Sequence, residues 1–146
     1  MSGKVIEEGE VAIVSRDVLE KELFTNPSLA FEFMKWMSDR FRKTQTKFRD
    51  LVLNGKKGAL YSSLIRMTNS YGIQIPEGVL IDIPLTNQEL ANFCATSRES
   101  INRMLNNLKS DKTLSFKRGK ITIHNLQALK DEIGCENCSL VYCSIE

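Results

Sequence analysis

Residues 85–108, LTNQELANFCATSRESINRMLNNL, decide how the whole chain is read. Thr86-Asn87-Gln88-Glu89 has the form of a capping box, in which the Thr hydroxyl takes the amide of the third helical residue and Glu89 returns to the cap amide. A helix starts there, carries Leu90, Ala91 and Phe93 as its apolar residues and ends near Cys94. Two residues later Thr96-Ser97-Arg98-Glu99 offers a second capping box, and the helix it opens buries Ile101, Leu105 and Leu108 at helical spacing. Arg98, Glu99, Asn102, Arg103 and Asn106 are left for its other faces. Helix, tight turn and second helix have the size and shape of a helix-turn-helix, whose second helix enters the major groove and reads bases with residues near its N-terminus. Arg103 can make two parallel hydrogen bonds to guanine, Glu99 can accept from cytosine, and Asn102 can serve adenine or a phosphate. An αα-hairpin with a solvated charged face is the plain alternative, and the residues downstream weigh against it. Residues 113–116 and 120–123 are strand-like and joined at Lys117-Arg118-Gly119, a basic hairpin tip, or wing, that can reach phosphates.

Upstream, Asn26-Pro27 reads as an N-cap with Pro at the first helical position, and no Gly or further Pro follows until Gly55. Apolar positions along this stretch repeat by sevens: Met34, Phe41 and Phe48 in one register, Met37, Thr44 and Leu51 three residues on. This is an a/d seam. It suits either a helix packed on its own domain or a homodimeric coiled coil, parallel or antiparallel, and the length of the stripe in so small a chain favours the dimer. Asn54-Gly55 is expected to end the helix. Residues 58–69 read as another, with Leu60, Leu64 and Ile65 inward, and residues 73–75 and 79–83 as two strands about Pro76-Glu77-Gly78. Residues 5–14, VIEEGEVAIV, show a β-type pattern without a neighbouring strand to pair with, as if they belonged to a larger β structure whose earlier part is missing or supplied elsewhere. Ser15 then caps a short helix through Phe24.

The chain has 146 residues, 42% hydrophobic and 26% charged, which suits one ordinary domain or two small ones with a core that needs no metal or disulfide staple. No apolar run approaches the roughly 18 residues of a membrane span. The start, MSGKVIEEGE, lacks an apolar secretion segment, so the expected location is cytoplasmic. A net charge of +2 hides unequal segments: residues 1–24 carry −3, 35–57 carry +6, 97–120 carry +5 and 121–146 carry −3. Two basic stretches between acidic ends point to a polyanionic partner. A single His, no Gly-rich phosphate loop and no Ser/His/Asp grouping argue against an enzyme.

Residues 85–130, LTNQELANFCATSRESINRMLNNLKSDKTLSFKRGKITIHNLQALK, resemble the winged helix-turn-helix of the Crp/Fnr family of bacterial transcription regulators, and the run SRESINR matches its recognition helix. The stretch 26–53 resembles that family's dimerisation helix, and 5–14 the closing strand of its sensory β-roll. The resemblance implies a mainly α fold with a small β component, a long dimerisation helix followed by a winged helix-turn-helix domain. Divided accordingly, residues 1–24 are a β-roll remnant and short helix, 25–54 the dimerisation helix, 55–134 the DNA-binding domain and 135–146 a C-terminal tail. The family's base-contacting positions fall on Glu99, Asn102 and Arg103, with Arg98 beside them and Lys117 and Arg118 on the wing. The implied partners are a double-stranded DNA operator, a second copy of the chain and RNA polymerase, with no membrane. Two departures matter. Ala95 stands where the turn usually has glycine, which strains a left-handed backbone by about 1 kcal/mol. Most of the β-roll is absent, so a cyclic-nucleotide pocket does not carry over.

Four cysteines in a cytosolic chain are poor candidates for structural disulfides. Cys94, at the end of a helix, reads as core. Cys135, Cys138 and Cys143 form C-x2-C-x4-C just after Gly134, which ends the helix that Asn125 caps. From spacing alone a 4Fe-4S cluster, a structural zinc and redox or accidental thiols all remain open. His124, eleven residues before Cys135 on a wing strand, reads as a surface residue. The resemblance shifts the balance, because the Bacillus-type Fnr branch of the family carries its iron-sulfur cysteines at the C-terminus with this spacing and takes an aspartate near the end of the dimerisation helix as fourth ligand. Asp50 matches it best, Asp39 being the other acid between Phe33 and Leu53; the plain alternative for Asp50 is an exposed carboxylate paired with a basic neighbour. The function implied is oxygen-responsive control of anaerobic genes through a 4Fe-4S cluster tying the tail to the long helix. That tie would set the spacing of two recognition helices against one turn of DNA, about 34 Å, until oxygen released the tail. A zinc-stabilised or metal-free winged-helix regulator without oxygen sensing is the alternative.

Overall fold

The computed structural model describes residues 9–136 and 138–145 and divides into two compact units, the first ending at Ser38 and the second beginning at Asp39. In the first unit, Ser15 accepts from the Val18 amide and opens helix α1 (Arg16–Thr25), which buries none of its side chains. The β-type pattern at 5–14 does not become a strand: Val5 to Glu8 lie outside the described residues, and Gly9 to Val14 are irregular. A lone strand has no ladder to satisfy its amides, and among the described residues the four strands of the sheet pair only with one another.

Helix α2 (Pro27–Tyr71) begins as expected, with Pro27 at its first position and the Asn26 side chain accepting from the Leu29 amide at 3.1 Å. The expected end at Asn54-Gly55 is borne out, because two helices meet there across a kink. Gly55 leaves the helical region at φ 58°, ψ −152°, and the helix resumes at once. Just beyond, Gly58 is buried so tightly that a Cβ there would stand 2.6 Å from the Asp50 carbonyl oxygen. The two halves of α2 thus close on each other around Asp50.

The second half of α2 supplies the floor of the core. Leu60, Leu64, Ile65 and Met67 are buried, and they pack with Ile81, Leu90, Cys94, Ile101, Leu105, Leu114, Ile121, Ile123 and Leu129. Each such side chain contributes about 1.5–3 kcal/mol on burial. Strands β1 (Gly72–Ile75) and β2 (Gly78–Ile81) turn about Pro76-Glu77, and β3 (Leu114–Lys117) and β4 (Lys120–Ile123) form the wing. All four make one antiparallel sheet in the order β1-β2-β4-β3, with Val79 opposite Ile123 and Leu114 opposite the same residue on the other side. Strand β2 stops short of the expected residue 83; the last bond in line with it is from the Asp82 amide to the carbonyl of Tyr71, the final residue of α2, at 2.8 Å. Between the hairpins lie α3 (Asn87–Phe93) and α4 (Arg98–Ser110), and α5 (Leu126–Glu132) follows the wing. Among the described residues no helix is long and apolar enough to cross a membrane.

Candidate nucleic-acid interface and metal centre

The Thr86 capping box forms in full: Thr86 Oγ1 accepts from the Glu89 amide at 3.2 Å while the Thr86 amide donates to Glu89 Oε2 at 2.7 Å. That backbone amide, and then the Thr86 hydroxyl, hold the Glu89 carboxyl below its usual range. The second box does not form. Ser97, not Thr96, caps α4; its third helical residue is Ser100, which has no carboxylate to return, and the Thr96 hydroxyl is buried without a partner among the described residues. The turn between the helices has a clear backbone cause. The Thr96 amide reaches the Ala91 carbonyl at 3.0 Å and the Ala95 amide the Asn92 carbonyl at 3.4 Å, a Schellman motif that demands a left-handed residue at Ala95, whose φ is 48°. The strain expected of an alanine there is present. Phe93 stays exposed while Cys94, next in sequence, is buried; burial pushes its thiol up, and the Ser63 hydroxyl opposes this in part.

Helix α4 buries Ile101, Leu105 and Leu108 and leaves Arg98, Glu99, Asn102 and Arg103 in solvent. Arg98, Glu99 and Asn102 line a shallow depression with Asn87 of α3. Asn87 donates to Asn102 Oδ1 at 3.2 Å, a link between the two helices that the sequence did not signal. The wing turns through Arg118 (φ 53°) and Gly119 (φ 78°), both left-handed as a two-residue hairpin requires, and Lys117 and Arg118 are exposed at its tip. His124 is a structural surface residue, as expected. Its Nδ1 lies 2.7 Å from the Glu77 carbonyl, which can only accept, so that nitrogen donates, and its Nε2 lies 2.8 Å from the Ser115 hydroxyl. On α2 the seam residues Met34, Met37, Phe41 and Phe48 are all exposed, Phe41 at 69% and Phe48 at 66%, and Leu51 is half-buried.

The C-terminal tail begins where α5 ends in another Schellman motif, with Gly134 left-handed at φ 59° and the Cys135 amide on the Lys130 carbonyl at 2.9 Å. From there it runs against α2. Arg49 Nη1 pairs with Glu136 at 2.8 Å, which raises the Arg49 guanidinium, and Tyr142 donates from its hydroxyl to Asp39 at 3.1 Å beneath the Arg42 guanidinium, 5.6 Å from the ring centroid. Lys43 donates to Ser144 at 3.0 Å and the Ile145 amide to Ser70 at 2.9 Å. Asp50 is 5% exposed, so the exposed-carboxylate alternative is overturned on exposure while its basic pairing holds. Its Oδ2 accepts from the Ser62 hydroxyl at 2.5 Å and lies 3.6 Å from Arg66, and its Oδ1 lies 3.4 Å from Arg49.

Cys135, Cys138 and Cys143 are half-buried and form no disulfide among the described residues. Burial pushes the Cys143 thiol up, Arg66 pulls it down, and Cys135, Cys138 and Asp50 push it up again, so each of these groups lies within electrostatic reach of Cys143. Among the described residues no three His, Cys, Asp or Glu side chains gather closely enough to hold a single metal ion. A donor set of soft thiolates and one hard carboxylate, placed around one stretch of helix, fits an iron-sulfur group in chemistry. Arg66, Ser62 and Asn69 were not read from the sequence, although an Arg set among Leu60, Leu64 and Met67 on a core-facing helix was a visible anomaly.

A helix-turn-helix closed by a hairpin wing, with an exposed cationic recognition face, defines a winged-helix DNA-binding protein. The chain belongs to the Crp/Fnr family: residues 59–132 match the Crp-like helix-turn-helix domain. It is 55% identical to an anaerobic regulatory protein of Bacillus subtilis (strain 168) over 100% of this chain and 62% of that one. It is 31% identical to a lactate racemization regulatory protein of Lactiplantibacillus plantarum over 82% of this chain and 55% of that one. The chain therefore spans little more than half the length of such relatives, both named for regulation rather than catalysis. In structure it resembles a CooA mutant from Carboxydothermus hydrogenoformans with a TM-score of 0.68 and 20% identity, covering 80% of this chain and 54% of that one.

Proposed function

We propose that this chain acts as a homodimeric, cytoplasmic transcription regulator that reads a double-stranded DNA operator, engages RNA polymerase, and controls anaerobic genes in response to oxygen through a 4Fe-4S cluster on Cys135, Cys138, Cys143 and Asp50. The name of the Bacillus subtilis relative supports the anaerobic setting. The observation that carries the reading is the tail itself, which contains the three cysteines and is hydrogen-bonded at Tyr142 and Cys143 to the helix that presents buried Asp50. The cluster, when bound, supplies an oxygen-labile set of bonds between tail and helix. The chain does the rest. Arg66 opposes the rise that burial imposes on the Cys143 thiol. Arg98, Glu99, Asn102 and Arg103 present donors and acceptors to base edges, and Lys117 and Arg118 present cations to the backbone. The exposed seam from Met34 to Phe48 is covered by the same helix of a second copy, which turns one recognition helix into a pair.

One observation favours a metal-free regulator instead: the tail already has hydrogen-bonded anchors in Arg66, Asn69 and Ser70. Anaerobic purification, with iron and acid-labile sulfide counted against protein, separates the two. A brown protein with Cys94→Ser unchanged and Cys138→Ser colourless supports the cluster. Stoichiometric zinc or no metal removes it, and a normal, equally durable cluster in Asp50→Ala removes the fourth ligand.

A further inference from the structure

Arg66 is 3% exposed, the most deeply buried charged side chain among the described residues, and no step of base or phosphate recognition uses it. A guanidinium so deep is tolerated only when its donors are met. Its Nε donates to Ser62 Oγ at 3.1 Å, its Nη1 to the Tyr142 carbonyl at 2.6 Å and its Nη2 to Thr46 Oγ1 at 3.0 Å, with Asp50 Oδ2 at 3.6 Å. Ser62 in turn donates to that same Asp50 oxygen at 2.5 Å. One planar fork therefore joins three segments far apart in sequence: α2 before the Gly55 break, α2 after it, and the tail. Three residues further along α2, Asn69 donates to the Cys143 carbonyl at 2.6 Å. The carbonyls of two consecutive tail residues are thus gripped from one helix, on the peptide entering Cys143 and on the one leaving it.

We propose that Arg66 and Asn69 are positioning residues for the cluster, fixing the two ligands, Asp50 and Cys143, that lie outside the Cys135–Cys138 pair. The inference rests on the ligand reading given under the proposed function. Ligating carboxylates and their neighbours need outer hydrogen-bond partners, whose removal lowers metal affinity about 10- to 100-fold. Here Ser62 and Arg66 hold one Asp50 oxygen, while Arg66 and Asn69 hold the backbone of Cys143. Lysine in place of Arg66 would keep a cation near Asp50 but could not span Ser62, Thr46 and Tyr142 together.

The test uses the full chain, reconstituted anaerobically, in wild-type form and as Arg66→Gln, Arg66→Lys and Asn69→Ala. The first readout is the lifetime of the visible cluster absorption under an anaerobic iron chelator. The second is amide hydrogen exchange of residues 139–145 in the cluster-free chain, with α4 and β4 amides as the internal standard for the fold. Arg66→Gln is expected to shorten the lifetime by about 10- to 100-fold and Asn69→Ala by less, with partial recovery in Arg66→Lys. Tail amides should exchange faster in the Gln and Ala variants while α4 and β4 stay protected. Asn69 is exposed, so its variant tests the grip even if Arg66→Gln does not fold. Wild-type protein that takes up no iron overturns the ligand assignment and this inference with it. A wild-type cluster matched in lifetime by the folded variants overturns the inference alone.

Discussion

Arg103 and Lys117 are both exposed cations, yet they sit on different parts of the fold and so separate two kinds of contact. Arg103 lies on the solvent face of α4, where a guanidinium can hold a guanine edge; Arg103→Ala should cost about 1–3 kcal/mol in operator affinity and relax preference at one base pair. Lys117 lies at the wing tip, so Lys117→Ala should weaken all duplexes alike and lower the salt slope by about one phosphate's worth. Binding titrations against single-base operator variants check both, and unchanged specificity in Arg103→Ala would remove α4 as the reading helix. Ala95 carries a different prediction. Its φ of 48° is set by two backbone hydrogen bonds and not by its side chain, so Ala95→Gly keeps the motif and relieves the Cβ clash. The gain should be about 1 kcal/mol or somewhat less, because glycine also loosens the unfolded chain. Urea denaturation with an unchanged m-value is the measurement.

At the scale of elements, α2 does two jobs with two faces. Its second half is buried in the core, whereas Phe41 and Phe48 in the first half stand in solvent one heptad apart. Phe41→Asp sets a charge in that stripe, where a second helix would have to bury it unpaired. The expected result is a monomer by light scattering with an unaltered far-ultraviolet spectrum; an unchanged mass would show that the stripe is not the dimer seam. The local elements were legible because each has a nearby cause in sequence: Thr86 and Glu89 for the start of α3, Asn26-Pro27 for α2, Lys117-Arg118-Gly119 for the wing. The cap of α4 was misplaced by one residue because Thr96 and Ser97 are both good caps, and only the backbone hydrogen bonds of the Schellman closure at Ala95 decide between them. The end of the first helical half at Gly55, by contrast, was legible, because Asn54-Gly55 marks it in the sequence. Glycine permits a break, but whether the chain resumes as helix depends on what Leu60 and Leu64 find to pack against. The site was half legible. Cysteine spacing marked the tail, but the grip of Arg66 and Asn69 on backbone carbonyls of Tyr142 and Cys143 leaves no pattern in sequence, because a carbonyl is present at every residue.

For the whole molecule, the two functions proposed occupy separate surfaces of the second unit: DNA-reading side chains on α4 and the wing, cluster ligands on the tail and α2. The cationic groups proposed to face phosphate, Lys117 and Arg118 foremost, make no contact with the tail among the described hydrogen bonds and ion pairs. Removing the cluster should therefore change how the two recognition helices of a dimer are spaced without changing how many phosphates each wing meets. That distinction is measurable. The salt dependence of binding, a slope of about −0.9 per phosphate contact in log K against log salt, counts contacts, while the height of the line reports the geometry of presentation. Cluster-loaded and cluster-free protein should give parallel lines, displaced by a coupling of about 1–3 kcal/mol, or roughly 5- to 150-fold in affinity. By linkage, saturating operator DNA must then raise affinity for the cluster by the same factor, so chelator titrations with and without operator provide an independent value. Lines of different slope would mean that the tail alters phosphate contacts directly. Superimposed lines would leave the cluster without influence on DNA binding and remove oxygen as the signal.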